Sequence, residues 1–99
     1  MPKTIMFISF KLAAGVSVSD FQLAAAKVYN EFMSKQKGYI SWQQLVDGDL
    51  WADLITWETM ADAQSAMEAS MVDTASQEFF PFIDEASVKM QFFTVEKSY

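Results

Sequence analysis

YISWQQLVDGDLWADLITW, residues 39–57, reads as two strands joined by a tight turn. From Tyr39 to Val46 the residues alternate, with Ile40, Trp42, Gln44 and Val46 on one face. From Leu50 to Trp57 they alternate again, Trp51, Asp53, Ile55 and Trp57 against Leu50, Ala52, Leu54 and Thr56. Asp47-Gly48-Asp49 between them has the composition of a hairpin turn, with a glycine able to take positive φ. Both faces of the second of these strands are apolar, so both need burial.

Working outward, Gly38 suits the left-handed cap of a preceding helix, and Lys35 and Lys37 sit at that helix's negative end. Its stripe is Phe21, Ala25, Val28 and Phe32, joined by Ala24, Tyr29 and Met33. Ser19, three residues before Gln22, is the expected N-cap, with Val18 and Leu23 as a hydrophobic staple and the helix starting at Asp20. Before it, Thr4 to Leu12 alternates as a first strand, Met6, Ile8, Phe10 and Leu12 on one face and Ile5, Phe7 and Ser9 on the other.

Downstream of the hairpin, Thr59 and Asp62 form a capping pair for a second helix with the small apolar stripe Ala63, Ala66 and Met67. The pattern breaks from Ser70 to Ala86, where Ser76 is the expected cap of a short helix ended by Pro81. Val88 to Glu96 closes the series as a fourth strand. The order is therefore βαββαβ, an α+β ferredoxin-like fold: a four-stranded antiparallel sheet, order 4-1-3-2, with both helices on one face. The uncovered apolar face then needs a second copy of the chain or a ligand, and a homodimer is expected.

Composition narrows the function. The 99 residues are expected to form a single domain over 1–99, and a hydrophobic share of 52% exceeds what a small monomer core absorbs. The net charge of −6 argues against nucleic acid and anionic membrane as partners. No apolar run reaches the ~18 residues of a membrane span. The chain has no cysteine, which fits the cytoplasm, and no histidine, which removes the commonest base and metal ligand. The acidic residues do not cluster at ligand spacing, so no metal and no cofactor are expected.

Among the remaining candidates Asp53 stands out, because a carboxylate on the Trp51, Ile55, Trp57 face has a raised pKa and can serve as a base. The competing reading puts it at the rim or in a pair with Lys11 or Lys89. Trp42, Gln44, Ile55 and Trp57, with Ile8 and Phe10 of the first strand, are the expected walls of an apolar pocket. Met60, Met67, Met71 and Met90 can form an adaptable pocket lining, but read first as core gap-fillers.

Leu12-Ala13-Ala14-Gly15 after the first strand, Gly38-Tyr39 opening the second, and Trp57-Glu58-Thr59 before an alanine-rich helix resemble the antibiotic biosynthesis monooxygenase group of the dimeric α/β-barrel superfamily. The resemblance runs over almost the whole chain. It implies two sheets packed face to face, and a small apolar pocket between the sheet and helices of each subunit. It also implies a cofactor-independent monooxygenase acting on a small aromatic or quinol-like compound, with Asp53 as base, Gln44 on a polar substituent, and Trp42 and Trp57 shaping the pocket. The alternative is a non-catalytic dimeric small-molecule-binding or regulatory module. Haem-degrading members carry Asn, Trp and His where this chain has Ile8, Ser65 and Ala75, so that chemistry is not expected.

Overall fold

A computed structural model describes residues 2–99. Strand β1 is Thr4–Phe10, β2 Tyr39–Asp47, β3 Leu50–Trp57 and β4 Lys89–Thr94; helix α1 is Val18–Glu31, α2 Met60–Ser70 and α3 Thr74–Phe79. The strands form one antiparallel sheet in the order β2-β3-β1-β4, the expected topology. β1 and β3 are central because they are the strands apolar on both faces. All three helices lie on one side of this ferredoxin-like α+β sheet.

The sheet presents Met6, Ile8, Phe10, Trp51, Asp53, Ile55 and Trp57 to the helices, the face assigned from the alternation. Two clusters form there. One gathers Phe10, Phe21, Ala25, Val28, Phe32, Trp51 and Phe79; the other gathers Met6, Ile55, Trp57, Ala63 and Ala66. Phe21 meets Trp51 edge-on at 5.1 Å between ring centroids. The alanines of α2 let that helix lie close over Trp57, whose side chain is wholly buried.

Several boundaries differ from expectation. Helix α1 is capped by Ser17, whose Oγ accepts from Asp20 N–H at 3.1 Å, and not by Ser19. That frame makes Val16 and Phe21 the staple, and leaves Val18 and Leu23, 46% and 70% exposed, on the outer side. Burial of Phe21 decides between the two serines. Helix α3 is capped by Asp73, which accepts from Ser76 N–H at 2.8 Å and Ser76 Oγ at 2.9 Å, so Ser76 lies inside the helix it was expected to start.

Leu12 leaves the sheet and bridges Ile83 instead of extending β1, because Ala13 N–H bonds Phe82 O and Lys11 O accepts from Asp84. A register irregularity between Tyr39 and Ser41 inserts Ile40 as an extra residue in β2. Ile40 therefore does not continue the Trp42 series. Tyr39 takes that place, half-buried against Trp57 and Tyr29 at 6.0 and 6.1 Å between ring centroids.

Candidate active site

Between the sheet, α1, α2 and α3 lies a chamber of about 210 Å³. Ile8, Trp42, Asp53, Ile55 and Trp57 of the expected set all line it, since alternation sends each to the helix face. The helices and their connections add Phe32, Met33, Met67, Ser70, Ser76 and Phe79. Phe10 and Gln44 do not reach its wall. Phe10 is fully buried one layer away, in contact with Phe21. Gln44 stands behind Asp53, its Nε2 donating to Asp53 Oδ1 at 3.2 Å, and its outer side borders a shallow groove with Trp42 and Tyr29.

Asp53 is 4% exposed and forms no ion pair among the described residues; the expected competitor Lys11 pairs with Asp49 on the surface instead. The rim and ion-pair readings of Asp53 therefore do not hold. Burial pushes its carboxyl pKa up to about 6, against the smaller opposing pulls of the Trp42 indole and the Gln44 amide. The Trp42 indole N–H lies near enough to favour the charged carboxylate, yet without the geometry of a hydrogen bond, so Trp42 Nε1 stays buried and unpartnered.

Trp57 Nε1 is a second buried donor with no partner. A buried donor left unpaired costs about 1–3 kcal/mol, and both of these belong to residues on the chamber wall. The chamber therefore offers an apolar slot with one carboxylate on its wall.

Sequence reasoning missed part of the wall. Met6, Met33, Met67, Met71 and Met90 all line the chamber, while Met60 does not, so the gap-filler reading fails for most of the methionines it covered. Thioethers give an adaptable surface for an aromatic ring. Ser76 was expected only as the cap of a short helix, and Phe79 was marked only by an apolar density around it and Phe80 too high for a free loop, so neither was assigned to the wall.

The described residues contain no group of three or more carboxylates arranged to hold a metal ion, and no helix long and apolar enough to cross a membrane. No family profile matches the sequence, and no curated protein does either. Solved structures match over nearly the full length. The fold is that of the antibiotic biosynthesis monooxygenase-like proteins, with two layers and a sheet left open on one side.

SnoaB, a cofactor-independent oxygenase from Streptomyces nogalater, superposes with a TM-score of 0.75 at 10% identity, covering 99% of this chain and 97% of that one. A Bordetella bronchiseptica protein provisionally named an antibiotic biosynthesis monooxygenase superposes at 0.77 with 14% identity, covering 100% of both chains. A hydroxynitrile lyase from Passiflora edulis shares the fold as well, at 0.67 and 16% identity, over 100% of this chain and 99% of that one. One architecture thus carries oxygenase and lyase chemistry, and the site must decide between them.

Proposed function

We propose that this chain is a cofactor-independent monooxygenase of the antibiotic biosynthesis type, a single cytoplasmic domain that oxidises a small phenolic or quinol-like aromatic in the chamber beneath its sheet. The observation that carries the proposal is Asp53, a carboxylate buried without a counter-ion on the wall of an otherwise apolar chamber. With a pKa of about 6 it is ionised at neutral pH yet far more basic than an exposed aspartate.

In this reading the ring lies against Trp57 and the methionines, with its hydroxyl turned toward Asp53. Asp53 takes the phenolic or adjacent ring-carbon proton. The resulting anion is a strong enough electron donor to reduce dioxygen directly. A ring CH2 oxidised to a carbonyl loses four electrons, and these reduce one O2, one oxygen atom entering the ring and the other leaving as water. No outside reductant is required.

The open face of the sheet carries Ile5, Phe7, Leu54, Leu45 and Phe93, and in this proposal a second copy covers it, giving a homodimer. Oxygen consumption by the purified protein on naphthols, hydroquinones and catechols, with chelator present, tests the catalytic claim. Uptake abolished in Trp57→Ala supports it. Binding of the same compounds with no uptake would assign the chamber to ligand holding instead.

A further inference from the structure

A second, larger cleft of about 530 Å³ borders the chamber, and the two share Ile8, Asp53, Phe79, Phe80 and Met90 as walls. Asp53 therefore stands where they meet. Past it the cleft is bounded by Gln77 and Glu85, with Gln77 held by a hydrogen bond from its amide to the Met71 carbonyl.

The charges around these two spaces have one sign. Asp53 and Glu85 are its only ionisable walls among the described residues, and neither space is lined by a lysine. The chain has no arginine, and Lys3, Lys11 and Lys27 are paired with Glu58, Asp49 and Glu78 away from it. An anionic group brought here gives up its hydration, finds no cation, and meets the Asp53 carboxylate in a low-dielectric setting. A cationic group pays a similar loss of hydration but is attracted by Asp53, and a neutral group pays neither cost.

Size sets a second limit. An apolar cavity of about 150 Å³ accommodates benzene. The inner chamber, at about 210 Å³, therefore suits one ring or two fused rings, and a longer substituent must lie in the cleft.

We propose that the site selects by charge: it takes uncharged or cationic aromatics of one or two fused rings and rejects those bearing a carboxylate or phosphate. The proposal rests on reading the chamber as the ligand site, and adds the class of ligand it admits.

The test is a two-dimensional NMR titration of the full chain with 2-naphthol and with derivatives carrying a carboxylate or an aminomethyl group on the far ring. It is run at about pH 8, where Asp53 and the carboxylate are charged. The indole N–H signals of Trp42 and Trp57 report the chamber, while that of Trp51, which does not line it, is the internal control. We expect 2-naphthol and the amine to move the first two signals, and the carboxylate to bind about ten-fold more weakly or worse, with Asp53→Asn narrowing the gap.

A carboxylate that binds within about three-fold of 2-naphthol overturns the charge selection and leaves the chamber as the ligand site. If 2-naphthol itself moves neither Trp42 nor Trp57, the reading of the chamber falls, and this inference with it. A gap unchanged in Asp53→Asn removes Asp53 as its cause.

Discussion

Asp53 keeps its proton until about pH 6 in the folded chain, against 3.8 for an unperturbed aspartate, so between those values the native state binds more protons than the unfolded one. Stability is therefore fullest below the lower value and declines as pH rises through the upper one, by about 3 kcal/mol in all. Asp53→Asn keeps an oxygen to accept from Gln44 and removes the buried charge. It is expected to raise stability by about 1–3 kcal/mol near pH 8 and to match the parent near pH 4, read from denaturant melts at both pH values. The same charge is what the proposed reaction needs. kcat/KM is expected to rise with pH to a plateau with a midpoint of about 6, and Asp53→Asn to lose about 10²–10⁴-fold in turnover with no such rising limb. Equal turnover in the variant would remove Asp53 as the base.

Capping and turn chemistry act on whole elements. Ser17 and Ser19 are two residues apart, and both precede an acceptable N3 partner, Asp20 or Gln22. Only the Ser17 frame turns Phe21 into the core beside Phe10, Trp51 and Phe79. Ser17→Ala is thus expected to cost about 1 kcal/mol and Ser19→Ala a few tenths at most, measured by urea denaturation. At the start of β2, Gly38 has φ +80°, its carbonyl accepts from Glu58 N–H at 2.8 Å, and a Cβ there would sit 2.7 Å from Asp62 Cβ. Gly38→Ala should cost about 1–3 kcal/mol by the same measurement, and displace the β2 end that holds Tyr39 on Trp57. A neutral outcome would mean that α2 yields at Asp62.

For the molecule as a whole, the unresolved balance is between the two faces of the sheet. One is closed by helices around the chamber; the other exposes Phe93 and Leu45, 45% and 42% accessible, beside half-buried Ile5, Phe7 and Leu54. Sedimentation is expected to show a dimer for the parent chain. Leu54→Lys, a charge in the middle of that face, should give a folded monomer with the chamber intact by its tryptophan signals. A parent that sediments as a monomer would reject the proposed assembly. The parent dimer should also tighten with salt, because each copy carries a net charge of −6.

Strand alternation and helix stripes were enough, from the sequence alone, to place the four strands, the two longer helices, the topology and the sheet face of Ile8, Trp42, Asp53, Ile55 and Trp57. They succeed because a two-residue period commits each side chain to one face or the other. Tertiary structure alone decided how deep along that face a side chain lies, so that Phe10 fell into the core and Gln44 behind Asp53. It decided the serine that caps α1, because two local frames of similar quality differ only in what Phe21 meets. It also brought Ser76, Phe79 and five methionines to one chamber, since residues distant in the chain share a cavity only through packing, which no local period records.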